Sequence, residues 1–314
     1  MTLPRNTAAA VGLALGYVVD AVVGDPRRRH PVAGFGRLAG WLETRTYADR
    51  RLSGVVHLAL LASATAGLGV LLERLGRRST PVMVMVTAAA TWTVLGGRSL
   101  SREATIVAGQ LAADQLEAAR MRVRNLVGRE TAELSEEEVA RATVESVAEN
   151  TSDAMVAPLL WGAVFGVPGL LVYRAINTLD AMVGHHSPRY EHFGWASARL
   201  DDVVNWGPAR VAGLVTAACA PLVGGSTRGA LMIIRRDAGQ HPSPNAGVVE
   251  AAFAGSLGIR LGGRNVYGER VEDRGVLGDG HPVLISDVRR ANRLATAVSA
   301  GSLVLAMIIR GVGR

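Results

Sequence analysis

Glu145 and Glu149 stand four residues apart, so a helix carries both on one face, and Asn150 and Asp153 follow as that helix ends. Carboxylates converging with an amide oxygen make a hard-oxygen site of the kind that suits Mg²⁺. The plainer alternative is an acidic helix end in solvent. A second group, Arg174, Asn177 and Asp180, is spaced by three and again shares a helical face. Its guanidinium offers a planar fork for phosphate or carboxylate, or one half of a structural ion pair at a membrane boundary. A third group is denser: Arg199, Asp201 and Asp202, with Asn205 one turn after Asp201. It too could hold a cation.

Arg235-Arg236-Asp237 precedes His241-Pro242-Ser243-Pro244-Asn245, and Glu250 follows on a helix. Read for function, this is an anion site. Backbone N–H groups at the helix start face a phosphate, Arg236 adds charge and His241 moves a proton. Read for structure, Ser243 and Asn245 fix turns and cap the helix. His185, His186 and His192, with Arg189 and Tyr190, could ligate a transition metal, although such a loop is more often solvated. The adjacent acids Asp201 and Asp202 weakly suggest a CDP-alcohol phosphotransferase motif. Its spaced Asp-Gly and Asp-x-x-x-Asp elements are missing, so that match is discounted.

Composition says where these groups must work. Of 314 residues 49% are hydrophobic and 19% charged, and the mean hydropathy is +0.22. This balance points to an integral membrane protein. Ala, Val, Leu and Gly carry the apolar mass, and small residues let membrane helices approach closely. No lysine occurs, and all 34 Lys+Arg positions are Arg. That excludes a Walker A lysine and any Schiff-base chemistry, so a nucleotide must be held without a P-loop. The net charge of +7 lacks a compact basic patch interleaved with aromatics, so nucleic acid is not an expected partner. The single cysteine, Cys219, excludes an intrachain disulfide and a cysteine metal cluster.

The elements that position these residues follow from apolar runs. Residues 7–23, 54–72, 81–97, 208–224 and 291–310 are expected to be membrane helices, giving about 4–5 spans in an all-α, polytopic protein with one integral membrane domain over 1–314. Residues 154–173 are apolar but broken by Pro158, Gly162, Gly166, Pro168 and Gly169, so they span, re-enter or lie buried. After the first run comes the turn Gly24-Asp25-Pro26, then Arg27-Arg28-Arg29 and His30-Pro31. Residues 98–153 carry apolar residues at helical spacing among charges, with a break near Gly128. Ser135 with Glu138 predicts a capping box. Residues 226–290 are polar and Gly-rich, with short helices expected. Arginine counts put the 27–51 loop and the 98–153 region in the cytoplasm, and the 226–290 region joins them if both 154–173 and 208–224 cross. Residues 174–205 face outward if both flanking segments cross, and join the inner face if they do not. A shared inner-face site is the favoured reading.

In order, Gly24-Asp25-Pro26 with His30-Pro31, the segment ESVAENTSDAMVAPLLWGAVFGVPGLLVYRAINTLDAMVG, then FGWASARLDDVVNWGPAR, then HPSPNAGVVEAAFAGSLGIRLGG resemble the CobD/CbiB family, the adenosylcobinamide-phosphate synthases. The similarity runs over essentially the whole chain. Ala154 stands where many members carry Gly. The lysine-free sequence excludes a pyridoxal-phosphate decarboxylase that shares the family's name.

The resemblance implies a multi-pass enzyme of the inner or plasma membrane. It joins adenosylcobyric acid to (R)-1-amino-2-propanol O-phosphate by an ATP-dependent amide bond, giving adenosylcobinamide phosphate. ATP would turn the carboxylate into an acyl phosphate. Mg²⁺ would sit on Glu145, Glu149, Asp153, Asp201 or Asp202. Glu149, Asp153, Asp202 or His241 would serve catalysis. Asp25, His30, Arg174, Asn177, Asp180, Arg199, Arg236, Ser243 and Asn245 would meet substrate and phosphate groups. Besides the lipid bilayer, a second copy of the chain or other corrinoid-assembly enzymes are the expected partners. A Mg-dependent membrane phosphotransferase and a corrinoid or anion transporter are the competing classes. Charges gathered at span ends rather than at mid-membrane favour surface chemistry over transport.

Overall fold

The computed structural model describes residues 4–26, 30–267 and 270–312, with backbone alone at 264–267, 270–271 and 312. The basic run Arg27-Arg28-Arg29 lies outside the described residues. In chain order the helices are α1 (Arg5–Val23), α2 (Pro31–Thr46), α3 (Arg51–Gly76), α4 (Thr80–Val94), α5 (Gly97–Leu111), α6 (Leu116–Val123) and α7 (Glu136–Thr151). They continue with α8 (Ala157–Leu179), α9 (Trp195–Cys219), α10 (Thr227–Asp237) and α11 (Ala246–Leu257). Strands β1 (Leu261–Tyr267) and β2 (Arg270–Leu277) precede α12 (Ile285–Val312). Two compact units result: Met1–Gly96, Ala157–Asn205 and Leu303–Arg314 form the first, Gly97–Val156 and Trp206–Ser302 the second. Among the described residues six helical runs are long and apolar enough to cross a membrane, and they overlap the six apolar segments read from the sequence.

In the first unit, α1 presents Gly12 and Gly16, four apart, to α4. A Cβ at Gly12 would lie 2.6 Å from Cβ of Thr87, and one at Gly16 would press on the Ala88 carbonyl and Thr91. Small residues at this spacing let two backbones touch, which is how helices associate where lipid removes the hydrophobic drive. Along α3, Leu60, Leu68 and Leu71 stay exposed, as a lipid-facing surface requires. On its covered face Leu58 and Leu61 pack with Ala39, Leu179 and Ala196.

The broken segment 154–173 is not one straight span. Gly166 takes φ +67° and ψ −147°, a conformation that a side chain would strain. A straight helix would separate residues 161 and 169 by about 12 Å along its axis. Instead Gly169 lies directly against the Trp161 carbonyl, and a Cβ at Gly162 would sit 2.7 Å from Leu170 Cδ2. The chain therefore doubles back at Gly166, and α8 is a tight helical hairpin. Its tip is held by Glu73, whose carboxylate accepts the Val167 N–H at 3.1 Å and meets Arg310 at 3.4 Å. That backbone donor, freed by the turn, thus has a charged acceptor in a region where water is scarce.

The second unit packs α7 on α5, α6 and α11. Ser135 and Glu138 form the expected capping box. Short helices were expected throughout 226–290. That holds for α10 and α11, but 261–277 is an antiparallel β-hairpin with a register shift between Gly262 and Arg264. The glycines explain the difference. Gly262, Gly263 and Gly275 all take positive φ (+80°, +82°, +65°), which breaks a helix and lets β1 press on the Gly275 carbonyl.

Candidate functional site

The second unit gathers acids, arginines and a histidine around one face of α7. Glu145 is buried, with Arg129 Nη1 at 3.0 Å and Arg141 Nη1 at 3.6 Å, and it accepts the Gly262 N–H at 2.9 Å. Arg141 also donates to the Gly262 carbonyl. Glu145 is thus the anchor between α7 and β1. One turn on, Glu149 is exposed, and one turn further Asp153 is half-buried in a π-helical turn, Ser152–Val156. Such turns inside helices are frequent at functional sites. Asn150 bonds back to Ser146, so its amide serves the helix itself.

Facing them from α11 is Glu250, 0% exposed, with neither carboxyl oxygen hydrogen-bonded. His241 Nε2 stands 3.7 Å away and Arg274 Nη1 4.0 Å away. Burial, then the nearby Glu145 and Glu149 carboxylates, push Glu250 well above the usual carboxylate range, against the pull of Arg274 and Arg129. Burial and Arg274 hold His241 below its ordinary value. His241 Nδ1 accepts the Ser243 N–H at 3.0 Å, so in the neutral ring Nε2 carries the hydrogen and points at Glu250. At 3.7 Å the Nε2 contact is too long for a hydrogen bond, so that nitrogen has no hydrogen-bond partner among the described residues.

The start of α11 is similarly closed. Ser243 Oγ takes the N–H groups of Asn245 and Ala246, and the Ser243 carbonyl takes that of Gly247. Asn245 Oδ1 accepts from Arg210 at 3.3 Å. Arg236 grips both Asp237 oxygens at 2.7 and 2.8 Å and reaches Asp279 at 2.7 Å. Those partners push its guanidinium pKa up and the two acids down. Asp237 in turn accepts the Gly278 N–H at 2.8 Å, so this arginine ties α10 to the loop after β2.

In the first unit the helix faces predicted from spacing do meet. Arg174 Nη1 donates to Asn177, Asn177 to Asp201 Oδ1 at 3.4 Å, and Asn205 to Asp201 Oδ2 at 2.9 Å. Tyr173 OH closes the chain on Asn205 Oδ1 at 2.8 Å. This polar row joins the returning limb of α8 to the start of α9. Beside it opens an apolar cavity of about 280 Å³, lined by Trp161, Phe165, Val172, Tyr173, Ile176 and Val204. Asp180 lies in a second π-helical turn, Asp180–Gly184, pressed on Gly184. Asp202 meets the exposed Arg199 at 3.8 Å. Asp25 and His30 pair at 3.4 Å, and His30 Nδ1 caps α2 by accepting the Val32 N–H. The histidine-rich loop is held by acids. Asp49 meets His192 at 2.9 Å, Glu191 meets His186 at 3.0 Å, and Glu43 holds Arg189 and Tyr190.

Among the described residues no group of three His, Cys, Asp or Glu side chains is placed to hold a metal ion. Glu145 is taken by two arginines and a backbone N–H, and Glu250 faces His241 and Arg274. Mg²⁺ commonly keeps several waters and binds through one or two carboxylates plus substrate phosphates. Glu149 and Asp153, four apart on one side of the helix, are the donors that fit that mode. The sequence noted Glu250 only as a residue following on a helix, and it did not single out Arg129, Arg141, Arg274 or Tyr173. For Glu250 a signal existed: it is the only charge in an otherwise apolar helix, Ala246–Leu257.

A profile of the CobD/Cbib protein family matches residues 13–295. Proteins named cobalamin biosynthesis protein CobD align along nearly their whole lengths. The one from Mycobacterium tuberculosis (strain ATCC 25618 / H37Rv) is 53% identical over 300 residues, covering 96% of this chain and 95% of its own. That of Pelobacter propionicus is 41% identical over 312 residues, with 96% of each covered. That of Rhodobacter capsulatus is 40% identical over 316 residues, covering 96% of this chain and 98% of its own. No solved structure matches the chain.

Proposed function

The chain belongs to the CobD/CbiB family of cobalamin biosynthesis, and from that premise we propose that it is an ATP-dependent ligase of the membrane. It joins adenosylcobyric acid to (R)-1-amino-2-propanol O-phosphate and yields adenosylcobinamide phosphate. The observation that carries this reading is the acid–arginine–histidine cluster of the second unit, with exposed Glu149 at its edge. A carboxylate becomes an acyl donor once ATP has converted its oxygen to a phosphate leaving group. The amine then attacks the carbonyl carbon, phosphate leaves, and the nitrogen gives up a proton. Glu149 is our choice for the group that takes it, since Glu145 is pinned and His241 is buried whereas Glu149 stands exposed. Bound Mg²⁺ would offset charge on the phosphates, with Glu149 and Asp153 as its protein ligands.

In the first unit, Arg174 and Asn177 supply a guanidinium and an amide for anionic or amide-bearing groups, held in place by Asp201, Asn205 and Tyr173. The reversal at Gly166 supports an inner-face location for residues 180–194, because both limbs of α8 then open on one side of the bilayer. That side is the cytoplasmic one by the arginine count, where ATP is available.

The test supplies purified protein with adenosylcobyric acid, ATP–Mg²⁺ and either the free or the phosphorylated amine, and identifies the product by mass. Corrinoid- and amine-dependent ATP consumption with the amide product supports the ligase. Release of a nucleoside monophosphate without corrinoid, or vesicle uptake without turnover, would replace it with a phosphotransferase or a transporter.

A further inference from the structure

We propose that the corner where α2 meets α3 is a binding site for an anionic phospholipid headgroup, built from Arg45, Arg50 and Arg51 with the indoles of Trp41 and Trp195. Nothing in this site depends on the ligase reading above.

The corner follows from how α2 packs. Phe35, Ala39 and Leu42 turn inward against Leu58 and Leu61 of α3 and Ala196 of α9. Leu38, Trp41 and Arg45 recur at i, i+3 and i+7 on an uncovered face, with Leu38 50% and Trp41 54% exposed. Apolar side chains ending in a guanidinium suit the zone between lipid headgroups and acyl chains, where the stem lies in the apolar layer and the charge reaches the phosphates. Helix α3 sets the level. It starts at Arg51 and is long and apolar enough to cross a membrane, so Arg51 and the 72%-exposed Leu52 stand at the end of that span. Trp195 opens α9 beside them, since Gly54 of α3 lies against the Phe193 carbonyl.

Positive charge is left over here. Arg45 Cζ lies 3.9 Å from the Trp41 ring centre, and its Nη1 donates to the Trp41 carbonyl at 3.1 Å and to Thr44 Oγ1 at 3.3 Å. Arg51 Cζ lies 5.1 Å from the Trp195 ring centre. An indole face orients a guanidinium without cancelling its charge. The two acids of this stretch are engaged elsewhere, Glu43 with Arg189 at 2.8 Å and Asp49 with His192 at 2.9 Å. Among the described residues Arg45, Arg50 and Arg51 make no ion pair with an acid. A phosphodiester supplies the missing charge, and the glycerol and upper acyl chain cover Leu38, Leu52 and the indoles. A soluble phosphate would use the arginines and leave that apolar surface in water. The arginine count that puts residues 27–51 on the cytoplasmic side also puts them at the leaflet whose surface is negative. The corner carries the loop after α8 as well: Tyr47 OH donates to the Arg189 carbonyl at 3.0 Å, and the Arg189 guanidinium lies 4.2 Å from the Tyr47 ring centre. A headgroup bound here therefore steadies the fold of that loop, and melting reports its occupancy.

The test uses full-length protein stripped of lipid in neutral detergent. It is titrated with phosphatidylglycerol, with phosphatidylcholine of the same chains, and with inorganic phosphate. Native mass spectrometry reads the bound lipid, and tryptophan fluorescence follows melting. Phosphatidylglycerol should bind about tenfold or more tighter than phosphatidylcholine and raise the melting temperature, and phosphate at equal concentration should not raise it. R45Q/R51Q should bind phosphatidylglycerol about 10–30-fold more weakly, as expected for two charges at a membrane surface. R77Q/R78Q removes two exposed arginines from the other end of α3 and should bind like wild type. Equal binding of phosphatidylcholine, or an equal shift with phosphate, overturns the headgroup assignment. Equal losses in the two double variants would mean general attraction to charge, and would overturn the site. Should R45Q/R51Q not purify, R45Q alone should bind about fivefold more weakly, and an unchanged affinity overturns the site equally.

Discussion

Glu145 and Glu149 share a helix face, yet their surroundings assign them different work, and two alanine variants separate the two jobs. Glu145 is 3% exposed and compensates Arg129 and Arg141, both mostly buried themselves. Removing one partner of a buried pair leaves charge without compensation, which costs about 3–5 kcal/mol. The Gly262 N–H loses its acceptor as well. For a unit of this size each kcal/mol shifts the melting temperature by about 2–4 °C, so E145A should melt about 6–20 °C below wild type. Glu149 is exposed, and truncating it should change stability by no more than about 0.5 kcal/mol. Turnover should respond in the opposite sense. E149A should lose about 10²–10⁴-fold in amide formation, the usual worth of a positioned base. E145A should keep much of its turnover at temperatures where it stays folded. Melting is followed by intrinsic tryptophan fluorescence in detergent, and product by mass. An E145A that melts with wild type but is dead would make Glu145 the chemical residue. An E149A that melts early would remove the division altogether.

The remaining predictions concern the hairpin tip and pH. G166A places a Cβ in left-handed backbone, 2.7 Å from Glu73 Oε2, and should lower stability by about 2–4 kcal/mol through strain plus the lost Glu73–Val167 bond; G40A, whose Cβ meets nothing within 4 Å, is the control and should melt at or above wild type. Because the folded protein raises the Glu250 pKa, the stability tied to its neutral form is complete below the unfolded value near about 4.3 and is lost, by up to about 1.4 kcal/mol per unit, as pH rises through the folded value. His241 runs the other way: its depressed pKa gives stability present above about pH 6.5 and lost as pH falls through the folded value. Melting curves from acid to alkaline pH should therefore flatten on the alkaline side in E250Q and on the acid side in H241N, and an unchanged profile in either would contradict the assigned environments.

How much of this the sequence carried depends on whether periodicity or partners decide the outcome. The apolar runs are long, so their lengths were readable, as was the Ser135–Glu138 cap, which is a local pattern. The faces of Arg174–Asn177 and Asp201–Asn205 followed from helical spacing, and the structure puts them in one hydrogen-bonded row. Partners several turns or elements away were not readable. Nothing in the spacing of Glu145 and Glu149 says that two arginines and a strand N–H claim the first and leave the second at the surface. Arg236 has ordinary sequence neighbours, and only its rotamer shows that it grips the adjacent Asp237 rather than a ligand. The β-hairpin was hidden because three positive-φ glycines interrupt its alternation. Val266 and Val271, paired across it, were the residual signal.

The glycines and proline of residues 162–169 show how a composition that reads as weakness can be a requirement. In water each would simply lower helix propensity. Here Gly162 and Gly169 let two limbs of one hairpin touch, and Gly166 supplies the single left-handed residue that reverses the chain. A reversal in a low-water setting leaves backbone donors exposed, and Pro168, having no N–H, removes one of them. The Val167 N–H is left, and Glu73 accepts it. Glu73 then needs its own compensation, which Arg310 provides from α12. Four features scattered over the chain, which separately look like a helix breaker, a proline kink, a stray acid at the end of α3 and a terminal arginine, are thus one device. The device returns the chain so that the limb carrying the Arg174–Asn177 face and Asp180 runs back alongside the first limb of the hairpin.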